Sequence, residues 1–275
     1  MKSGECMTIE LIPDEIRFAE NPEPRCPCVL LVDVSNSMLG NKMEQLNNGI
    51  ATFAQELKSD SLASLRTEVA IITFAGSAEM AQEFVTADRF EPQPLNVDEG
   101  VMITEDQCYP NPLSFGDGTN EQKPDYMSED GLYCYRAPFR LLGGTNTSEG
   151  ISLALDEIEK RKQTYRDSGI DYYRPWLFLI TDGEPTEPQE VVDHIARRLK
   201  EADSQKKVAA FSVGVEGADM DVLARISPRR PLMLKGLAFS SMFVWLSHSM
   251  SRVSRSRTDD GITLDTDGLK DWAAI

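Results

Sequence analysis

The stretch CVLLVDVSNSM, residues 28–38, decides the fold of this chain. It begins with a continuous apolar run of the kind found in strands that are buried on both faces of a parallel sheet. The run then ends in an acid and two hydroxyls, Asp33, Ser35 and Ser37, spaced two apart. A buried strand has no use for an acid at its end. We therefore predict that the three oxygens face one point along an extended turn and hold something there.

Strand-like and helix-like segments alternate along most of the chain. Apolar residues at helical spacing follow the first strand at Met43, Leu46, Ile50, Phe53 and Leu57. Further buried strands are predicted at TEVAIITFAG (67–76), PWLFLITDGEP (175–185) and KKVAAFSVGV (206–215), with a shorter edge strand at AEMAQEFVTA (78–87). This alternation predicts an α/β domain: a doubly wound, Rossmann-like fold whose mostly parallel central sheet carries helices on both faces.

Residues 88–140 interrupt this alternation. They are rich in Pro, Gly, Asp and Asn and show no lasting period, so we predict an irregular insertion. We assign residues 1–26 to an N-terminal extension, 27–257 to the main domain and 258–275 to a polar C-terminal tail. Trp272 in that tail has two interpretations that we leave open: it docks onto a partner, or it packs back on its own domain.

Charge and cysteine content narrow the choice of partners and compartment. Acids outnumber bases by 45 to 28, for a formal charge of -17. Nucleic acid is disfavoured because binding it needs a basic footprint, whereas a cation or a basic protein surface suits this charge. No signal-like segment begins the sequence and no apolar run approaches the roughly 20 residues that span a bilayer. We therefore predict no membrane contact and a cytoplasmic location, with free thiols at Cys108 and Cys134.

Two later segments add oxygens at the ends of predicted strands. Thr145 follows a pair of glycines that lets its loop approach closely, and Asp182 closes a buried strand. Ligands of such sheets bind beyond the carboxyl ends of the strands. We therefore expect Asp33, Ser35, Ser37, Thr145 and Asp182 to form one metal site. Two carboxylates and three hydroxyls suit Mg²⁺ or Mn²⁺ and not zinc. Each residue taken alone also fits as a helix cap or a turn former.

The segments DVSNS (33–37), GTNT (144–147) and ITDG (180–183) resemble the metal-ion-dependent adhesion site (MIDAS) of the von Willebrand factor A (VWA) domain. The resemblance runs from about residue 27 to residue 250 and is interrupted by the insertion. It implies that the same five residues bind the metal, with the aspartates often acting through water. It also implies that a free coordination position accepts an acidic residue of a partner protein. One residue departs from the pattern, since Asn36 stands where Gly is usual.

A closer resemblance is to the tellurium-resistance VWA proteins, the TerY-like family. It rests on GIDYYRPWLFLITDGEPTEP (169–188), GGTNT (143–147), SMSRVSRS (249–256) and the terminal Gly/Trp/Ala/Ile tail. This resemblance implies a bacterial stress-response or defence complex with a protein kinase and a PP2C-type phosphatase. We therefore predict a non-enzymatic, metal-dependent protein-binding module, in which the insertion is longer than the family leads us to expect.

Two alternatives remain at this point. One is a metal-dependent hydrolase such as a phosphatase, although Ser35 stands where the haloacid-dehalogenase type needs a second Asp, and Ser37 has no evident base. The other is a scaffold that binds through the insertion and the tail, with the MIDAS in a structural role. Both histidines, His194 and His248, fall in helix-like segments and are expected at surface or packing positions.

Overall fold

The computed structural model describes residues 18–98, 100–111, 114–115, 120–121, 124–137, 139–141, 144–256 and 268–274. The strands are β1 (Cys26–Asp33), β2 (Thr67–Phe74), β3 (Ala78–Thr86), β4 (Val101–Ile103), β5 (Gln107–Tyr109), β6 (Ser114–Phe115), β7 (Asn120–Glu121), β8 (Tyr126–Met127), β9 (Tyr133–Tyr135), β10 (Phe139–Leu141), β11 (Trp176–Thr181), β12 (Ala209–Gly214), β13 (Leu232–Leu234) and β14 (Ala273–Ala274). The α-helices are α1 (Asn41–Ser59), α2 (Ala63–Arg66), α3 (Thr147–Asp167), α4 (Gln189–Ser204), α5 (Met220–Ile226), α6 (Phe239–Arg255) and α7 (Leu269–Trp272). Short 3-10 helices cover Asn36–Met38 and Ala87–Arg89.

A seven-stranded sheet in the order β14-β13-β12-β11-β1-β2-β3 forms the centre of the fold. Its five inner strands run parallel, and the two edge strands, β3 and β14, pair antiparallel with their neighbours. Strand β1 lies between β11 and β2, so that Leu30 is paired with Phe178 on one side and Ile71 on the other. The predicted doubly wound α/β fold with a mostly parallel sheet is confirmed.

Helices bury both faces of this sheet, which explains the unbroken apolar run of β1. Leu30 and Val32 belong to one core cluster with Phe53 of α1 and Phe243 of α6, whose ring centroids are 5.5 Å apart. Leu31 points to the opposite face, where the second core cluster includes residues of α3, α4 and α5. Because both faces are apolar, the polar residues that follow β1 gather where the strand leaves the core.

The insertion contains more regular structure than predicted. Seven strands of two or three residues, β4 to β10, form three small antiparallel sheets with the orders β10-β4, β5-β9-β8 and β6-β7. Strands this short cannot produce a detectable period in the sequence. The expectation of free thiols at Cys108 and Cys134 is wrong, because the two residues face each other across β5 and β9 and form a disulfide.

The C-terminal tail packs against the domain. Strand β14 extends the sheet beside β13, and the indole of Trp272 is fully buried with its ring centroid 5.3 Å from that of Trp245. The structure therefore selects the interpretation in which Trp272 packs on its own domain. Residues 257–267 lie outside the described residues. Among the described helices, none combines the length and the apolar character that crossing a bilayer requires.

Candidate functional site

The five predicted ligand residues lie at the carboxyl ends of the neighbouring parallel strands β1 and β11. Asp33 is the last residue of β1, and Asp182 directly follows β11. Ser35 and Ser37 lie in the turn after β1, and Thr145 lies just before α3. All are buried except Ser37, which is exposed. The structure thus brings three loops together at the edge of the sheet that the sequence predicted.

The Asp33 carboxylate is fixed by donors on both oxygens. Oδ1 accepts the backbone N–H of Ser35 at 2.8 Å, and Oδ2 accepts the hydroxyl of Thr181 at 2.5 Å. Burial is nevertheless the larger effect and raises the pKa of Asp33 from 3.8 to about 6, although these hydrogen bonds lower it. A positive charge beside Asp33 would therefore stabilise the ionised form of this carboxylate.

Asp182 joins the third loop to the first. Its Oδ1 accepts the hydroxyl of Ser37 at 2.6 Å, and the Oγ atoms of Ser37 and Ser35 are 2.9 Å apart. A serine that donates its proton to a carboxylate still presents lone pairs elsewhere. The chain of Ser35, Ser37 and Asp182 therefore leaves its oxygens available as acceptors for a cation.

Thr145 is positioned by a contact that the sequence did not reveal. Its backbone N–H donates to Thr186 Oγ1 at 2.8 Å, and its carbonyl accepts the N–H of Thr186 at 3.1 Å. A Cβ atom at Gly144 would lie only 2.2 Å from Thr186 Oγ1, so the loop needs glycine there. Thr186 thereby ties the second loop of the site to the third.

Glu187 completes this connection at the start of α3. Its Oε1 accepts the backbone N–H of Ser148 at 2.9 Å. Burial raises the pKa of Glu187, and hydrogen bonds from the first turn of the helix counteract the rise. The N-cap residue of α3 is Asn146, which makes no side-chain cap hydrogen bond, so the carboxylate that serves the first turn comes from a residue 39 positions further along the chain.

Gly183 shows that the oxygens converge on one point. A Cβ atom placed on it would lie 3.5 Å from Asp33 Oδ2, 3.5 Å from Thr145 Oγ1 and 3.7 Å from Ser37 Oγ. Oxygens from the first and second loops thus surround a space that Gly183 of the third loop keeps open. Carboxylate and hydroxyl oxygens are ligands that hard divalent cations prefer, so the residues present fit such an ion. No group of three or more His, Cys, Asp or Glu suited to a metal occurs among the described residues.

Lys42 is a third residue, after Thr186 and Glu187, that sequence reasoning missed. Its ammonium group, near the start of α1, contacts Asp182 Oδ2 and donates to the carbonyl of Ser37 at 3.2 Å. The lysine side chain is partly exposed, whereas the Asp182 side chain is fully buried. The sequence carries only a weak signal for this contact: Lys42 lies five residues after Ser37, in the first turn of α1, where a lysine is also ordinary at a surface position.

The chain was compared with known families and structures. Residues 136–240 match the model of the von Willebrand factor type A domain. No curated protein matches the chain. The pilus adhesin SpaC from Lactobacillus rhamnosus GG, in its open conformation, is 12% identical, with a TM-score of 0.54 over 84% of this chain and 30% of that one.

Two further solved structures are similar. The PilB minor pilin from Streptococcus sanguinis is 11% identical, with a TM-score of 0.51 over 84% of this chain and 62% of that one. A von Willebrand factor type A protein from Catenulispora acidiphila is 12% identical, with a TM-score of 0.47 over 83% of this chain and 43% of that one. The chain spans less than two thirds of each of the three structures, and likeness at this level of identity concerns the fold alone. Residues 136–240 match this family's model, and the seven-stranded, mainly parallel sheet gives the chain the von Willebrand factor type A fold.

Proposed function

We propose that this chain is a metal-dependent protein-binding module. Asp33, Ser35, Ser37, Thr145 and Asp182 would hold Mg²⁺ or Mn²⁺, and the ion would offer a coordination position to a Glu or Asp of a partner protein. The observation that carries this proposal is the convergence of Asp33, Thr145 and Ser37 around the space beside Gly183. The binding domain in this proposal comprises residues 27–257, with 88–140 as its insertion and 258–275 as its tail.

The chain's own residues would perform three tasks in such a site. The hydrogen bonds from Ser35 and Thr181 hold the Asp33 carboxylate in place. Thr186 holds the Thr145 loop against the loop of Asp182. Two carboxylates balance but do not exceed the charge of a divalent ion, so the open coordination position of the ion can still bind a partner carboxylate.

An affinity capture from the native host tests the proposal. Three baits are compared: wild type in Mg²⁺, wild type in EDTA, and the variant Asp33→Ala in Mg²⁺. The fold of the variant is checked by circular dichroism. Asp193→Ala is the matched control, because Asp193 is an exposed aspartate of α4 outside the site. We expect a partner that is retained by wild type and Asp193→Ala in Mg²⁺ and lost in the other two samples. Retention of the same partners in all samples would refute metal-dependent binding.

The resemblance to TerY-like proteins supports one setting for this module. It implies a cytoplasmic, phosphorylation-linked complex in bacterial stress response or defence, with a protein kinase and a PP2C-type phosphatase as partners. Co-purification of a kinase or phosphatase in the capture experiment, abolished by Asp33→Ala, is the expected result. If the sample retains other metal-dependent partners but neither a kinase nor a phosphatase, the proposed kinase–phosphatase complex is refuted and the proposed metal-dependent binding stands.

The Cys108–Cys134 disulfide favours a second setting, in which the module works at the cell surface or in another oxidising compartment. The fold likeness to a pilus adhesin supports an adhesive role of this kind. Blocking thiols in intact cells before lysis, followed by mass spectrometry, separates the two settings. A disulfide-linked Cys108 and Cys134 in the native host supports the second, and two blocked thiols support the first.

We further propose that the site is not catalytic. The sequence offered no evident base for Ser37, and in the structure the Asp182 carboxylate lies 2.6 Å from its hydroxyl. The other oxygen of that carboxylate contacts the ammonium of Lys42, so both oxygens of Asp182 already have partners. Assays of p-nitrophenyl phosphate and acetate with wild type and Ser37→Ala should show no turnover that depends on Ser37. Such turnover would revive the hydrolase alternative.

A further inference from the structure

Lys42 occupies an unusual place for a positive charge. A site designed only to attract a cation gains nothing from an ammonium group among its oxygens, because like charges repel. Yet Lys42 contacts Asp182 Oδ2 and also donates to the carbonyl of Ser37, so two loops of the site hold it. Its side chain is 24% exposed, while that of Asp182 is 0% exposed. The lysine therefore covers a carboxylate that would otherwise be fully available to a metal.

The two oxygens of Asp182 have different partners. Oδ1 accepts the proton of Ser37, an arrangement that leaves the serine lone pairs free for a cation. Oδ2 is the oxygen that Lys42 contacts. The lysine thus removes one acceptor from the site and leaves the oxygens of Asp33, Thr145 and Ser37 around Gly183 undisturbed.

The contact between Lys42 and Asp182 changes the net charge of a site that holds a divalent cation. The two carboxylates alone would neutralise a divalent cation, so a loaded site without Lys42 would have no net charge to offer a partner. With Lys42 the loaded site carries one positive charge. A carboxylate from a partner then makes the site neutral, which favours an anionic residue in a region shielded from water.

We propose, on the basis of the proposed function above, that Lys42 determines the specificity of the site for an acidic partner residue. It weakens metal binding by repulsion and strengthens carboxylate binding by attraction. Its two effects therefore have opposite signs, and this distinguishes it from a lysine that merely supports the loop. A supporting residue would change metal binding and carboxylate binding in the same direction.

Mn²⁺ and acetate are suitable probes for this proposal. Mn²⁺ affinity is measured from the electron paramagnetic resonance signal of the free ion. Acetate affinity is measured on the Mn²⁺-loaded protein from the fall in water proton relaxation as acetate displaces bound water. The variants are Lys42→Met, which removes the charge, and Lys42→Arg, which keeps it. Lys58→Met is the matched control, since Lys58 lies at the other end of α1, about 24 Å along the helix axis. At that distance a surface charge is screened at 0.1 M salt.

We expect Lys42→Met to bind Mn²⁺ about ten-fold more tightly and acetate about ten-fold more weakly than wild type. Lys42→Arg and Lys58→Met should both stay close to wild type. If both affinities of Lys42→Met fall together, or neither changes, the specificity role of Lys42 is refuted while the proposed function stands. If wild type itself takes up no Mn²⁺, the proposed function fails and this inference fails with it. Circular dichroism of each variant excludes a loss of fold as the cause.

Discussion

Both ends of the central sheet contain buried carboxylates, but these carboxylates have different partners at the two ends. At the amino end, the Glu68 carboxylate accepts Arg25 Nε at 3.1 Å and Arg161 Nε at 2.7 Å, along with the hydroxyl of Tyr165. The ring of Phe18 lies 5.3 Å from both guanidinium groups. At the carboxyl end, Asp33 and Asp182 share hydroxyl and backbone donors and one partly exposed lysine.

This difference distinguishes a structural cluster from the proposed binding site. The donors to the Asp33 oxygens are uncharged. At the amino end each oxygen of the Glu68 carboxylate accepts two hydrogen bonds, three of the four from arginines, and an aromatic ring covers those arginines. Such a network contributes to a specific fold but has no acceptor left for a ligand. At the carboxyl end, burial raises the pKa of Asp33, so holding its charge there costs free energy, and oxygens of two loops face a common space beside Gly183 of the third. The proposed binding function would account for that cost.

The largest effect is expected at the closed end. Glu68→Gln removes a buried carboxylate charge that Arg25 and Arg161 both contact, and so reduces the charge compensation of two buried guanidinium groups. We expect the free energy of unfolding to fall by about 3–5 kcal/mol, equally in Mg²⁺ and in EDTA. Urea denaturation measures it. Glu83→Gln, an exposed acid of β3, is the control and should cost little. A loss for Glu68→Gln that depends on Mg²⁺ would contradict the assignment of this end as structural.

The second-largest effect is expected at Asp33, where the pKa shift fixes the direction in which stability changes with pH. The pKa of Asp33 is raised from 3.8 in the unfolded chain to about 6 in the fold, so the folded state holds this proton more tightly. The contribution of Asp33 to the free energy of unfolding therefore decreases as the pH rises from about 4 to about 6. In EDTA at pH 7, Asp33→Asn should be more stable than wild type by up to about 3 kcal/mol, because it lacks the buried charge.

Thermal unfolding of both proteins at pH 4 and pH 7, with EDTA and with Mg²⁺, measures the difference in stability between Asp33→Asn and wild type. In EDTA the advantage of Asp33→Asn should be mostly lost at pH 4, where the wild-type carboxyl is protonated in the fold and only partly ionised in the unfolded chain. In Mg²⁺ at pH 7 the stability of wild type should rise relative to that of Asp33→Asn, since only the wild-type carboxylate binds the ion well. An Asn variant that is less stable than wild type in EDTA at pH 7 would show that Asp33 is not strained by burial.

A smaller effect is expected from Thr186, which acts on the site through Thr145. Thr186→Val keeps the shape of the side chain and removes the oxygen that accepts the Thr145 N–H. We expect Mg²⁺ affinity to fall roughly five-fold, a loss of about 1 kcal/mol, as is usual when one hydrogen bond that positions a ligand is removed. Isothermal titration calorimetry measures it. Thr52→Val is the matched control, since Thr52 is a half-buried threonine of α1 whose hydroxyl bonds within its own helix, and equal losses in both variants would show that Thr186 has no positioning role.

The smallest effect at the site is expected from the disulfide. Reduction, or the double variant Cys108→Ser with Cys134→Ser, should change Mn²⁺ affinity by less than about two-fold, because no described hydrogen bond joins either cysteine to the site. The same change should speed trypsin cleavage at the exposed Arg136, since the cross-link restrains β5 and β9. A large loss of Mn²⁺ affinity would show that the insertion supports the metal site directly.

Much of the fold followed from the sequence because its inner strands are buried on both faces. Such strands are continuous apolar runs, and β1, β2, β11 and β12 were all recognisable in this way. The insertion was not, because strands of two or three residues leave no period, and the pairing of Cys108 with Cys134 depends on a register that the sequence does not encode locally.

The candidate site was predictable where its residues adjoin those strands. Asp33 and Asp182 mark the strand ends, and the turns that follow carry the serines. The contacts between loops were not predictable, since Thr186, Glu187 and Lys42 reach the site from 41, 39 and 140 residues away in the chain, measured to their partners. Threonine and glutamate in a turn, and lysine near a helix start, are ordinary at surface positions. Only the folded chain shows where their side chains go.

The most direct test of the account is a crystal structure of the protein grown with Mn²⁺, with data collected at a wavelength where manganese scatters anomalously. The account predicts one strong anomalous peak between Asp33, Ser35, Ser37, Thr145 and Asp182, and no peak in crystals of Asp33→Ala. A wild-type crystal that contains Mn²⁺ but shows no peak there, or shows it only elsewhere on the acidic surface, would contradict the claim that the carboxyl end of the sheet is a metal-dependent binding site.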